Sequence, residues 1–518
     1  MVEVEIKLSV PSAARERVLR TLRRAAVHRI RLRAAYFDTA DRALAAQHVA
    51  LRLRQEGAAW VQTAKAQGDD PTVRLEHNVV LGRASRAGGW PTVDPERHRG
   101  TPVGQRLAKA LAASLAPHPL QARYHTDIVR LKRERRRPGA RLELALDEGR
   151  IGTDTPAGGA QAPGAEALCE LEIESLSGSP LAVFDEAQQW IEDHGLWLDA
   201  RSKALRGERL ARGAAPPHPA GALKLDAGAT LAQAWVALHR AGVGSVLDNA
   251  SDLAAGVHSV EHVHQLRVGL NRVRTVWRLF EGTGWTPPVE LASAVQQVFR
   301  VLGQHRDRSI WAAWRKRMRQ ALGADLVHAI PPVRATRDDL VALLRRPDVN
   351  LAWLQWLRLC ASTQTPRDLQ APSFEGTGTG STRGRTAPFE RHALRQLRRW
   401  HRRALASIAD FEAADDARRH RLRKRLKHMR FVLETLAPAL PAKPLKRHLR
   451  ALRRAEGLLG NLNDLTVCVS LLRDAQQRHT VPPEAMAWLL DQRRRLLRRC
   501  ARALRDYAST DDAVLRAR

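Results

Sequence analysis

The chain has 518 residues, too many for one ordinary domain, and 44% of them are apolar, enough to fill more than one core. Its 86 Lys and Arg stand against 54 Asp and Glu, a formal net charge of +32, which points to a polyanionic partner (nucleic acid, membrane surface or polyphosphate) over the blander reading of a generally Arg-rich surface. Cys169, Cys360, Cys468 and Cys500 form no CxxC pair, which argues against a zinc site or disulfide framework; there is no apolar run of about 18 residues to span a membrane and no apolar signal core, so a cytosolic protein is expected, with attachment to an anionic granule left open.

Residues 1–210 carry 33 Lys and Arg against 27 Asp and Glu, and residues 211–518 carry 53 against 27. The polyanion-binding surface therefore belongs mainly to the second part, and the acids of the first need their own explanation. The opening Val2-Glu3-Val4-Glu5-Ile6-Lys7-Leu8 alternates strictly, which predicts a strand with Glu3, Glu5 and Lys7 on one face. A helix is expected over 12–25. Leu51-Arg52-Leu53-Arg54 then sets two guanidiniums on one strand face, and Thr63-Ala64-Lys65 and Arg74-Leu75-Glu76 continue the pattern. Trp60 reads as packing in preference to base stacking. Arg123, Arg130 and Arg141 lie in or near later strand-like segments, and Glu170-Leu171-Glu172-Ile173-Glu174 puts three carboxylates on one face. A helix is expected over 181–194, with Lys203 after it.

Glu is a poor strand former, and like charges side by side repel. One such strand is ordinarily a solvated face; here bases on facing strands, or a metal, must offset the repulsion. Antiparallel strands with one apolar and one charged face predict an α+β domain built on an antiparallel β-barrel with a polar lumen, its outer face covered by helices.

Ala211–Leu223 contains Pro216, Pro217, Pro219, Gly213 and Gly221, so 211–224 reads as a linker. Residues 225–518 read as all-α, with Leu, Ala and Arg at helical spacing. A stretch of Gly, Ser and Thr at about 365–388 cannot bury a core and reads as a flexible loop. The halves on either side look like an internal duplication, two pseudo-symmetric helical bundles. His264-Gln-Leu-Arg267, continuing to Asn271, Arg272 and Arg274, recurs as His420-Arg-Leu-Arg423, continuing to Lys427, His428 and Arg430; Leu302-Gly303 through Asp307 recurs as Leu459-Gly460 through Asp464. His264, Arg267, Asn271 and Arg274 share one helix face, as do His420, Arg423, Lys427 and Arg430. One such face is ordinarily just solvated; its recurrence predicts a basic groove between two helices. The two histidines read either as phosphate hydrogen-bond donors or as satisfied structural groups. Asp307 and Asp464 read as capping or salt-bridging residues, not catalysts.

The first part resembles the CYTH domain, the triphosphate tunnel metalloenzymes. Glu3-x-Glu5-x-Lys7 matches its ExExK signature, and Tyr36-Phe37-Asp38-Thr39, Arg52/Arg54, Thr63-x-Lys65, Arg74-x-Glu76, Asp147-x-Gly149, Glu170-x-Glu172-x-Glu174 and Ser202-Lys203 follow in the family's order across nearly all of residues 1–210. The resemblance implies metal-dependent triphosphate hydrolysis. Mg²⁺ or Mn²⁺ would be held by Glu3, Glu5, Glu170, Glu172 and Glu174, with Glu76 as a further ligand or water-orienting base. Lys7, Arg52, Arg54, Lys65, Arg74, Arg123 and Lys203 would bind phosphate and stabilise the leaving group, with Glu5, Glu76 and Lys7 closest to the chemistry. Asp38 and Asp147 read as turn or supporting residues. Proteins with this domain order resemble bacterial inorganic triphosphatases, so inorganic triphosphate is the expected substrate; no base pocket for adenine or thiamine is identifiable.

The second part is similar to the CHAD domain, a helical module associated with polyphosphate, through the two His/Arg segments and the two Leu-Gly segments. That likeness implies inorganic polyphosphate as partner of His264, Arg267, Arg272, Arg274, His420, Arg423, Lys427 and Arg430. Asn271 departs from the pattern, at a position often basic. A nucleic-acid-binding protein is the rival reading, but aromatic residues are not interleaved with the bases as stacking platforms and no base-reading motif is present. A second rival is a barrel that binds without cutting.

Overall fold

Contacts divide the chain into two compact units, neither continuous in sequence: a barrel unit of residues 1–219, 243–262 and 341–370, and a helical unit of residues 220–242, 263–340 and 371–518. The computed structural model describes residues 2–68, 73–83, 90–114, 119–153, 164–213, 215–221, 225, 228–257, 259–324, 338–361, 388–476, 481–510 and 513–516. The loop expected at about 365–388 lies outside them except for Pro388, as does part of the linker.

The barrel unit is built on β1 (Val2–Ser9), β2 (His28–Asp38), β3 (Val49–Glu56), β4 (Ala59–Gln67), β5 (Val73–Arg83), β6 (Gln121–Arg137), β7 (Ala140–Gly152), β8 (Ala165–Gly178) and the short β9 (Trp197–Leu198). Their order is β5-β4-β3-β2-β6-β7-β8-β1, all antiparallel, and β1 pairs back onto β5 to close an eight-stranded barrel. Closure removes the sheet edges. Only residues 2–4 of β1 pair with β5, while Leu8 and Ser9 take β9 as partner.

Alternation assigns the two faces. Leu51, Leu53, Ala64 and Ala66 are buried; Leu51, Ala64 and Ala66 pack against Val103, Leu107 and Ala110 of a covering helix, Pro102–Ala112. The charged alternates of the same strands face inward. The helix expected over 12–25 forms as a 3-10 turn, Ser12–Ala14, followed by α1 (Arg15–Leu22), and the one expected over 181–194 spans Ala182–His194. A last helix, Lys203–Arg212, begins at Ser202, whose side chain accepts the Leu205 N–H at 3.0 Å. Serine before lysine therefore has a local cause: Ser202 caps the helix and Lys203 is its first residue. Gly149 is equally constrained, since a Cβ there would lie 2.1 Å from the Asp127 carbonyl oxygen on β6.

In the helical unit the duplication appears as helix lengths. Val260–Leu279 and Asp416–Thr435 have 20 residues each, and Val289–Leu322 and Ala442–Gln476 have 34 and 35. Phe389–Ala409, Asp416–Thr435, Ala442–Gln476 and Pro483–Ala508 pack as a four-helix bundle. Its core includes Leu397, Leu426, Met429, Leu452, Leu459, Leu489 and Leu504. Asp415 caps Asp416–Thr435 by accepting the Arg418 N–H at 2.6 Å. Among the described residues no helix is long and apolar enough to cross a membrane.

Candidate functional site

The barrel encloses a cavity of about 430 Å³. Every strand from β1 to β8 contributes, and Glu5, Lys7, Arg52, Arg54, Lys65, Arg74, Glu76, Glu172, Glu174 and Lys203 all line it. Arg130, Lys132, Glu143 and Asp147 join them.

The carboxylates fall into two environments. Asp147, Glu170 and Glu172 offer oxygens within 4.8 Å of one another. Among them sits the Lys203 ammonium, 2.7 Å from Asp147 Oδ2, 2.8 Å from Glu172 Oε1 and hydrogen-bonded to Glu170. Arg130 donates to both oxygens of Asp147, each at 2.6 Å, and to Glu172 Oε2 at 2.5 Å. Burial opposes ionisation of Asp147 and Glu172, but Lys203 and Arg130 hold both carboxyls below the usual carboxylate range. Glu170, 1% exposed, is pushed up by burial and by Glu172.

Farther along β8, the register sets Glu174 between Glu143 of β7 and Glu5 of β1. Burial, Glu143, Glu5 and Glu172 push the Glu174 carboxyl up to about 7, with Lys65 pulling the other way. Glu5 differs: burial raises it, yet Lys7 at 3.0 Å, Lys65 and Arg74 at 3.6 Å bring it to about 2. Negative charge is therefore compensated at Glu5, Asp147 and Glu172 and left in excess at Glu174.

Positive charge is in excess on another wall. Arg54 is lowered to about 10 by burial and by Arg52 and Arg130, although it pairs with Glu56. The Arg52 Nε is buried with no hydrogen-bond partner, and its Nη1 lies 3.4 Å from the Tyr36 hydroxyl. Glu76 is 6% exposed, ion-paired with Lys65 and hydrogen-bonded to Asn78 at 2.8 Å.

The helical unit gathers bases between two helices. Arg267 is lowered to about 10 by burial and by Arg306, Arg423 and Arg274. Lys427 is lowered to about 8 by burial and by Arg423, Arg267 and Arg430, against Glu456. Lys424 is lowered by burial and by Arg274, Arg278, Arg423 and Arg267. Bases from Val260–Leu279 and Asp416–Thr435 thus repel one another across a shared space. Phe299 supports two of them, with the guanidiniums of Arg267 and Arg274 4.6 and 4.5 Å from its ring centre. The repeated Leu-Gly landmark fits the same geometry. A Cβ on Gly303 would lie 3.3 Å from Arg267 Nη1, and one on Gly460 would lie 3.8 Å from Arg423 Nε. Both of those guanidinium atoms are buried without a hydrogen-bond partner.

The sequence matches the family model for the CYTH domain over residues 1–207 and that for the CHAD domain over residues 237–473. The chain joins a CYTH domain to a CHAD domain. A solved CHAD domain from the plant Ricinus communis is 26% identical, covering 58% of this chain and 97% of that one, with a TM-score of 0.40. A putative adenylyl cyclase from Hippeastrum, described as having a dominant triphosphatase activity, is 18% identical and covers 42% of this chain and 98% of that one, with a TM-score of 0.28. A putative adenylate cyclase from Bacillus halodurans is 19% identical, covering 37% and 89%, with a TM-score of 0.25.

Not every residue singled out in the sequence enters the CYTH lumen. Glu170 belongs to the triad but not to the cavity lining. Arg123 is also outside the lining; it is the residue skipped by a bulge in β6, where pairing jumps from Tyr36↔Tyr124 to Phe37↔Ala122. Glu3 is placed by backbone register alone, opposite Arg74. Asp38 accepts the N–H groups of Thr39, Leu44 and Ala45 and so organises a turn. Asp147, read as a turn or supporting residue, is a fully buried strand residue and not part of a turn; its contacts to Arg130 and Lys203 fit the supporting role. Its register partners on both sides, Arg130 and Glu170, were the available signal.

In the CHAD domain, Arg272 donates to the Ala220 and Gly221 carbonyls at 2.9 and 2.8 Å. Arg430 is claimed by Glu456 at 2.5 Å and Glu434 at 3.1 Å. His264 is exposed, and His420 Nδ1 lies 2.6 Å from Asn463 Oδ1. Asp464 pairs with Arg306 at 3.4 Å. Arg267, Arg274, Arg423 and Lys427 form the mutually repelling set.

Proposed function

We propose that the CYTH domain hydrolyses short inorganic triphosphate with Mg²⁺ or Mn²⁺, and that the CHAD groove binds inorganic polyphosphate. One observation carries the catalytic reading: a single barrel lumen is lined both by the guanidiniums of Arg52, Arg54 and Arg74 and by the carboxylates of Glu5, Glu172 and Glu174. A metal-bound phosphate chain supplies the complement of both.

The acidic donors fit a hard divalent cation: Asp147, Glu170 and Glu172 offer carboxylate oxygens within 4.8 Å of one another, where the Lys203 ammonium now compensates their charge. Glu5, Glu172 and Glu174 would hold it on the lumen wall, with Asp147 and Glu170 behind them; when bound, the cation withdraws charge from phosphate oxygens and acidifies a water. Arg52, Arg54 and Arg74 bind the chain's oxygens, and Lys7 and Lys203 keep neighbouring carboxylates ionised. In the reaction, a water oxygen bonds to the terminal phosphorus, the bridging P–O bond breaks with its electron pair on the pyrophosphate oxygen, one water proton stays on the orthophosphate and the other passes to pyrophosphate or solvent, and both products leave.

The test is phosphate release from triphosphate by the full chain with Mg²⁺ or Mn²⁺ and with EDTA, beside ATP and thiamine triphosphate. Metal-dependent release fastest on triphosphate supports the reading; faster cleavage of an organic triphosphate overturns the substrate. Absence of release with polyphosphate binding intact would make this a targeting protein. For the groove, Arg267→Ala with Arg423→Ala should weaken polyphosphate binding by about 10- to 100-fold. DNA that resists displacement by polyphosphate would favour the nucleic-acid reading.

A further inference from the structure

The lumen is not lined by the barrel alone. Within the barrel unit, Gly244 and Asp248 of the helix Leu231–Ala254, and His218 of the linker, also line the cavity that holds Glu5 and Arg74. A smaller adjoining pocket, lined by Glu5, Lys7, Arg74, Ala200 and Leu247, shows the same helix over the same end of the lumen. Gly244 and Asp248 lie inside the stretch that matches the CHAD model, so the CYTH cavity is completed by residues beyond the CYTH match.

Asp248 is placed to act on phosphate. Its side chain is 31% exposed, as a lining residue of an open cavity should be, and the ionisable groups nearest to it are His218, Asp252, Arg74 and Arg209. His218 Nδ1 lies 3.8 Å from the Asp248 carboxylate and its Nε2 lies 3.3 Å from Asp252. Asn249 fixes the His218 backbone from both sides, accepting its N–H at 3.1 Å and donating to its carbonyl at 2.8 Å. Arg209 and His262 also face Asp252.

We propose that Asp248, held beside His218 at the Arg74 end of the lumen, is an acidic stop that sets the length of phosphate chain the barrel accepts. A chain seated on Arg74 that adds one more phosphate in this direction brings its new negative charge against a carboxylate. Like charges at such range in a partly desolvated site repel strongly. The stop works by rejecting longer chains and leaves the bonds to the seated ones alone, which is specificity by repulsion. It rests on the reading of the barrel as a triphosphatase.

The experiment compares kcat/KM for tripolyphosphate and tetrapolyphosphate in the full chain, its Asp248→Asn variant and its Asp248→Glu variant. The expected result is a tetraphosphate-to-triphosphate ratio raised about tenfold by Asn and kept by Glu. Gly244→Asp, one helical turn away on the same face, should lower the ratio and serves as an independent second variant. An unchanged ratio in both Asp248→Asn and Gly244→Asp overturns the stop. If the parent cleaves neither chain, the triphosphatase reading fails separately. The stop is then read by calorimetric binding of both chains without metal, in an Arg267→Ala, Arg423→Ala background; equal relative affinities with and without Asp248→Asn overturn it.

Discussion

Lys203 sets its ammonium 2.7 Å from the carboxylate of Asp147. The contact joins the first residue of a helix to the middle of a barrel strand, and both side chains are 10% exposed or less. Burial disfavours the charge on this lysine, yet Asp147, Glu170 and Glu172 push it well above the usual lysine range. The ammonium therefore does inside the lumen what a bound cation would do: it permits three buried carboxylates to sit together.

Replacing it should expose that dependence. Lys203→Met removes the charge and keeps much of the volume, leaving the carboxylates opposed by Arg130, Arg206 and Lys7. A loss of about 3–5 kcal/mol is expected, read from the denaturant midpoint. Mg²⁺ or Mn²⁺ should then raise the melting temperature of the variant more than that of the parent. Equal metal responses would separate Lys203 from the cation site.

Glu5→Gln and Glu172→Gln preserve shape and delete one charge each. Both residues line the lumen beside Lys7 or Lys203, so each variant should bind divalent cations more weakly and release phosphate at least about 100-fold more slowly. Metal titration of the rate is the measurement. Retention of the parent rate and metal dependence in either variant would remove that residue from the site.

Period-two alternation was enough to place Glu5, Lys7, Arg52, Arg54, Lys65, Arg74 and Glu76 on inward faces, because a strand leaves each side chain only two directions. Asp147 was harder: it stands in Leu144-Ala145-Leu146-Asp147, which gives no run of alternating charge, and its role comes from its register with Arg130 and Glu170 and its contact with Lys203. Arg123 lies outside the cavity lining for a related reason, since a bulge resets the alternation at its position. The basic groove was legible as a repeat, but Arg430 is claimed by Glu456 from another helix, a pairing that no local spacing reveals. Asp248 and His218 at the lumen were invisible, because the contact is made by segments distant in sequence from the barrel strands.

A histidine pair outside the lumen, with one ring fully buried, should shape acid stability. His98 is fully buried, its Nε2 3.0 Å from the Gln62 amide nitrogen and its Nδ1 3.0 Å from His77 Nδ1. The Gln62 amide is oriented by the Asp94 backbone and by Arg97, so Gln62 donates and His98 Nε2 must accept. Burial, His77 and Arg97 lower the His98 ring to about 4. Between pH about 6.5 and 4 the unfolded chain takes up a proton that the fold refuses, so stability falls across this window, by at most about 3 kcal/mol from this group. His98→Gln should flatten the difference between urea midpoints at pH 7 and pH 5. An unchanged difference would assign the acid sensitivity to other groups.

The groove makes a prediction of the opposite sense. Lys427 is brought down to about 8 because burial and the guanidiniums around it disfavour its charge. An unliganded groove therefore loses this cation as pH rises through about 8, and polyphosphate affinity should fall over that range. A bound phosphate favours the ammonium, so binding above pH 8 should take up protons, visible as a calorimetric heat that changes with the ionisation enthalpy of the buffer. Lys427→Arg keeps its charge throughout, and should abolish both the decline and the proton uptake while leaving affinity at pH 7 near that of the parent. A decline that persists in Lys427→Arg would place the titrating group elsewhere in the groove, and a parent affinity that stays flat from pH 7 to 9 would mean that Lys427 does not meet the polyanion.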